Sequence, residues 1–257
     1  MEDQYQPDWD AYFCMVDDKP ASIAVDLDLR RFAPLPEREY FIQISVRVQY
    51  PDENGLPMGK ELERLSEIED ALSCNFGEKP DAVFVGRSAF HGFRNFYFYS
   101  ASTDDVASVI TNSISDFDGY SAELEISHEP EWETYFEFLL PDAREFQRMQ
   151  NRKLLEQLES YGDDPEIKRL VEHWIHFSTG EQRSEFMRSI VAKGFVPEIQ
   201  ATSDYEEFPF TLKVSRQDCT SEENIEEVVL FLWELAQESE GEYDGWETLV
   251  MREREKE

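Results

Sequence analysis

Cysteine, basic residues and long apolar runs are all scarce in this chain. Cysteine occurs three times in 257 residues, as Cys14, Cys74 and Cys219, far apart and in no CxxC pair. An odd, dispersed set of this kind builds no disulfide framework and suits free thiols in a reducing compartment. No stretch approaches the roughly 18 consecutive apolar residues that a membrane span requires. The opening MEDQYQPDWD is acidic and lacks the basic and apolar regions of a signal peptide. A cytoplasmic protein is expected.

The shortage of basic residues excludes most. Lysine and arginine number 24 against 57 aspartates and glutamates, a formal net charge of -33. A nucleic-acid binder needs a basic footprint, so direct contact with nucleic acid is not expected. Anionic membrane surfaces repel the same field. A basic protein is attracted by it and finds its partner faster. Acids outnumber bases in both halves of the chain, so the charge is no appended tail. Ordinary solubility also accounts for it.

Hydrophobic residues at 40% and aromatics at 14% supply enough apolar surface for true cores. At roughly 150 residues per domain, the length allows one large domain or two small ones. The first half opens with WDAYFCMV, then PASIAVDLDLR, where Ile23, Val25, Leu27 and Leu29 alternate as in a half-buried strand. YFIQISVRVQY alternates through Ile42, Ile44, Val46 and Val48. A helix is predicted over Lys60–Ser73, with Leu62, Leu65, Ile68 and Leu72 on its apolar side. DAVFVGRSA and FRNFYFYS are predicted strands around a turn at His91-Gly92. A helix from Thr103 has Asp104 and Asp105 in its first turn, followed by the strand GYSAELEIS. WETYFEFLLP is read as extended chain.

The second half begins near Pro141 with a helix to Tyr161, stopped by Gly162. VEHWIHFS is a strand, and Thr179 with Gln182 forms a capping box for the helix carrying Phe186, Met187, Ile190 and Val191. FVPEIQATS and FPFTLKVSR are strands. Thr220 and Glu223 form a second capping box, for a helix with Ile225, Val228, Val229, Leu232 and Leu235 on one face. In the closing block GEYDGWETLV, Gly241 stops that helix, Asp244-Gly245 signals a turn, and a last strand follows. Both halves therefore read β-α-β-β-α-β. The expected fold is α+β: two ferredoxin-like sandwich domains, residues 1–140 and 141–257, with mainly antiparallel sheets and helices on one face.

Catalytic patterns are missing. There is no GxSxG, P-loop, GxGxxG or HExxH, and the many carboxylates single out no pair. His173 and His176 stand three apart, but on a strand that spacing puts them on opposite faces and argues against a shared metal. In DFDGYSAELE, Gly119 falls at the fourth position of a calcium-type loop, where the sixth is required. No enzyme, metal or cofactor is expected. What remains is binding. Glu222, Glu223, Glu226 and Glu227 crowd the start of one helix, with repulsive i, i+4 pairs that read as a solvated face or as an anionic strip for arginine and lysine. Tyr243, Asp244 and Trp246 could seat guanidinium groups beside the acids, or Trp246 could cap the sheet from within.

LLEQLESYGDDPEIKRLVEHWIHF, the helix ending AKGF, and EGEYDGWETLV together resemble the RraB family, the B-type regulators of ribonuclease E activity. The resemblance covers roughly Asn151–Val250, and EYDGW is its most specific element. It implies a ferredoxin-like αβ sandwich that binds a ribonuclease E-type enzyme through a basic, non-catalytic region and inhibits or retunes RNA cleavage without chemistry of its own. WDAYFCMVDDKPASIAVDL and VGRSAFHGFRNFYFY look like an uncharacterised bacterial domain of unknown function, which implies no activity. An immunity-type inhibitor of a basic toxin nuclease, or an enzyme of unrecognised type, are the alternatives.

Overall fold

A computed structural model describes residues 4–78, 82–202 and 207–252. Asp81 and Ser203, at the ends of two predicted strands, lie outside the described residues. The chain divides into two compact units, Met1–Asp142 and Ala143–Glu257.

The first unit contains β1 (Trp9–Val16), β2 (Lys19–Asp26), β3 (Tyr40–Arg47), α1 (Lys60–Glu78), β4 (Val83–Phe90), β5 (Phe93–Ser100), α2 (Val106–Ile114) and β6 (Ala122–His128). Its sheet has the order β1-β2-β4-β5-β3-β6, with every pairing antiparallel. The βαββαβ strands β3, β4, β5 and β6 thus form the split ferredoxin-like arrangement, and the β1–β2 hairpin extends it past β4. Ile42, Ile44 and Val46 of β3 and Phe96 and Phe98 of β5 meet Leu65, Ile68 and Leu72 of α1 and Val109 and Ile110 of α2. This is the layer that the period-2 and period-3.6 patterns predicted.

Several expectations need correction here. Leu27 and Leu29 do not continue β2; they fall at a 3-10 turn, Asp28–Arg31, and are buried there. Leu62 is exposed, so the apolar stripe of α1 begins at Leu65. Asp104 and Asp105 precede α2, and Asp105 supplies no capping hydrogen bond from its side chain.

The largest correction is WETYFEFLLP. It is a π-helical turn, Thr134–Leu139, not extended chain. Trp132, Tyr135 and Leu139 are fully buried on the sheet face away from the helices. Trp132 stacks on Tyr99 at 4.1 Å between centroids, and Tyr135 hydroxyl donates to the Asp26 carbonyl at 2.7 Å. Their spacing of three and four residues is a helical period, and it was the available signal. Tyr97 and Tyr99 of β5 consequently face this second layer while Phe96 and Phe98 face the helices, so the strand is buried on both sides.

The second unit contains α3 (Ala143–Ser160), β7 (Arg169–Phe177), α4 (Gly180–Val191), β8 (Val196–Thr202), β9 (Phe210–Asp218), α5 (Glu222–Glu238) and β10 (Gly241–Thr248). The sheet order β10-β7-β9-β8, all antiparallel, is again the ferredoxin-like one. Its core joins Val171, Ile175 and Phe177 of β7 with Phe186 and Ile190 of α4 and Ile225, Val229 and Leu232 of α5. The Thr179–Gln182 capping box is present, with Gln182 N–H donating to Thr179 Oγ1 at 3.2 Å. The second capping box is not. Ser221 is the N-cap of α5 without a side-chain bond, and the Thr220 hydroxyl turns to Asp163. Tyr161, which helical spacing puts on one apolar side with Leu154, Leu155 and Leu158, is exposed, and so is Val191 of α4. Among the described residues no helix is long and apolar enough to cross a membrane.

Candidate interaction surface

GEYDGWET, Gly241–Thr248, is one strand with a bulge where a turn was expected. In β10, Tyr243 pairs with Ile175 and Gly245 with Trp174 of β7, which leaves Asp244 as the extra residue. A bulge shifts the side-chain phase by one. Tyr243 and Trp246 therefore both point into the core, at 6% and 8% exposure, although three residues apart. Glu242, Asp244 and Glu247 remain outside. Gly245 sits at φ +140°, where a side chain would be strained. Gly241 does not end α5 but starts β10; a Cβ there would lie 2.6 Å from the Phe177 ring.

Both aromatic rings of EYDGW are fastened internally. Tyr243 hydroxyl lies 2.9 Å from His173 Nδ1, and Trp246 Nε1 donates to Asn151 Oδ1 of α3 at 3.0 Å. Burial, with Arg216 nearby, pushes the His173 pKa down to about 3, so the imidazole is neutral. Burial raises the Tyr243 pKa. His176 lies across the sheet from His173, near Asp244 at 3.6 Å, as the strand reading required. GDDP is a further fastening point. Asp163 and Arg169 form a buried ion pair, with Asp163 also accepting from Met251 N–H at 2.7 Å and Arg169 Nε donating to the Ile167 carbonyl at 3.0 Å.

The glutamates fall on the opposite margin of α3. Glu222, Glu223 and Glu227 are exposed on the first two turns of α5. Glu226 is half-buried and accepts from Arg148 Nε at 2.7 Å, with Glu145 also on that guanidinium at 3.0 Å. These two carboxylates hold the Arg148 pKa above its ordinary value. Of the seven residues singled out from sequence, Glu222, Glu223 and Glu227 are exposed, Asp244 is exposed with His176 beside it, Glu226 is tied to α3, and Tyr243 and Trp246 are core. α3 links the two groups, with one cleft of about 540 Å³ toward Glu222 and another of about 570 Å³ toward β10.

Sequence reasoning missed a cluster on the outer sheet face. Lys213 Nζ bridges Glu172 at 2.7 Å and Glu247 at 3.2 Å, and lies 4.9 Å from the Trp174 ring centroid. The alternation of β7 and β9 was the signal, because it put Trp174 and Lys213 on the face opposite Ile175 and Leu212. Among the described residues, no group of three or more His, Cys, Asp or Glu side chains is placed to hold a metal.

Comparison with known proteins divides the chain in the same region. Residues 7–140 match the model of a family of unknown function, DUF695. Residues 148–248 match the model for regulator of ribonuclease activity B, RraB. No curated protein matches the chain. Among solved structures, a crystal structure of an unknown protein from Galdieria sulphuraria aligns at 12% identity over 82% of this chain and 99% of that chain, with a TM-score of 0.23.

Proposed function

The chain belongs to the DUF695 family of unknown function, which its residues 7–140 match, and on that premise we propose that its second unit makes it a non-enzymatic regulator of a ribonuclease. It docks on a basic, non-catalytic segment of a ribonuclease E-type enzyme in the cytoplasm and inhibits or retunes RNA cleavage through protein contact. The observation that carries this reading is the RraB match over residues 148–248, in a chain of net charge -33. The exposed acids of α5 and β10 support it. The contact set is Glu222, Glu223, Glu226, Glu227 and Asp244. Tyr243 and Trp246, first read as partner contacts, instead hold β10 in place, since both are buried and bonded internally.

The test is titration of the purified protein against the ribonuclease E-type enzyme of the same cell, with and without its basic segment, at low and physiological salt. Binding should vanish with the segment and weaken as salt screens the charges. Changing the four helix glutamates to glutamine should weaken binding about tenfold and flatten its salt dependence, from rim charges acting together. Folding stability should fall by up to about 1 kcal/mol, because losing the Arg148–Glu226 contact and the first-turn acids of α5 outweighs the relieved i, i+4 repulsion. Unchanged affinity of that variant at low salt removes the strip from the interface. No binding at low salt removes the ribonuclease reading.

A further inference from the structure

β10 is an edge strand. One side of it pairs with β7, and the other presents a row of main-chain donors and acceptors, which proteins normally cover or blunt. Beside it stands α3, across a groove of about 570 Å³ walled by Gln150, Asn151 and Lys153 on one side and Glu242, Asp244 and Trp246 on the other. At the bulge the groove reaches bare backbone. Nothing lies within 4 Å of where a Cβ on Gly245 would stand, so a second chain can approach the strand closely there.

Asn151 states what the groove accepts. The residue is 5% exposed. Trp246 Nε1 can only donate, so its bond fixes Oδ1 as the acceptor and leaves Nδ2 as a donor in a known orientation. Nδ2 is buried and has no hydrogen-bond partner among the described residues. A buried donor without an acceptor is costly, and a partner that brings one recovers that cost. A neutral acceptor fits better than an anion, because Glu242 and Asp244 outnumber Lys153 around the groove and the net charge is -33. A main-chain carbonyl meets the requirement, and lysines or arginines flanking it meet the two acids.

We infer that the groove between α3 and β10 receives an extended basic segment of the partner, which adds a strand to the edge of β10 and places a main-chain carbonyl on Asn151 Nδ2. This deepens the ribonuclease reading and rests on it. The bulge limits the ladder to a few residues, which suits a short guest segment better than edge-to-edge joining of two copies of this sheet.

The probes are the intact ribonuclease E-type enzyme and overlapping synthetic peptides spanning its basic region, each peptide made with and without N-methylation at alternate residues. N-methylation removes main-chain donors and keeps every charge. The full chain is titrated as wild type and as Asn151→Asp, which keeps the acceptor for Trp246 and removes the donor. Wild type should bind one peptide with new amide protection in residues 242–247. N-methylation of that peptide, and N151D, should each weaken binding about tenfold. If the ribonuclease binds but N-methylation leaves peptide affinity unchanged, the inference is overturned and charge docking alone stands, whatever N151D does to folding. Protection of β10 that grows with protein concentration, without ribonuclease, assigns the edge to a second copy and also overturns it. Absence of any ribonuclease binding overturns both this inference and the reading beneath it.

Discussion

In the first unit, the sheet face turned away from the helices is roofed by Trp132, Tyr135 and Leu139; in the second unit the corresponding face carries the half-buried Trp174 and Lys213 and the exposed Glu247. The strand order of the two βαββαβ sets is the same. What differs is how each sheet is secured. The first unit adds an aromatic layer and a hairpin. The second uses internal polar fasteners: Asp163 with Arg169, His173 with Tyr243, and Asn151 with Trp246. One topology thus yields a sheet covered on both faces and a sheet with one face turned to solvent, while each ends in edge strands, β1 and β6 in the first unit and β10 and β8 in the second.

Removing the roof should have the largest effect. Trp132→Ala deletes a fully buried ring stacked on Tyr99 and should cost about 4 kcal/mol, as large aromatic truncations do. Denaturant titration, with loss of amide protection in β3 and β5, reads it. A cost under about 1 kcal/mol would mean that the sheet does not depend on its second layer.

The fasteners of the second unit come next. Asp163→Ala leaves Arg169 buried without its carboxylate and should cost about 3 kcal/mol, the low end for a broken buried pair. It sits at the low end because Arg169 keeps its bond to the Ile167 carbonyl. Amide protection in β7 and β10 reports the loss.

The smallest of these effects is a pH dependence. His173 is neutral when folded, with a pKa of about 3, whereas an unfolded histidine takes up a proton near pH 6.5. Between those values the unfolded chain binds more protons, so stability is full above about pH 6.5 and declines as pH falls toward 3. The decline should reach about 2 kcal/mol at pH 5. His91 and His128 of the first unit are exposed and lack this burial. His173→Gln should flatten the acid limb of melting temperature against pH for the second unit, and an unchanged limb would assign the loss to carboxylates.

The regular elements were legible because their patterns are local. Alternation located β2, β3 and β9, turn signals located β4 and β5, helical spacing located α1 and α5, and a capping box located α4. The RraB motifs pointed to the family model that residues 148–248 match. The motif residues themselves were harder to interpret, since GDDP, His173 and EYDGW look functional in a list of letters and serve in the fold as fasteners. Asn151 gave no signal at all, because an asparagine in a helix is unremarkable until its neighbours are known.

The sequence alone thus determined two α+β halves of like topology, a strongly acidic composition, and the absence of any recognised catalytic motif, all of which are read from residue counts and short-range patterns. Only the tertiary structure decided that Asp244 is the extra residue of a bulge, that Trp246 turns inward onto Asn151, and that β10 is an edge beside α3. Those outcomes depend on register and on contacts between residues about a hundred positions apart. Strand phase is fixed by the pairing across β7, and no window along the chain contains it.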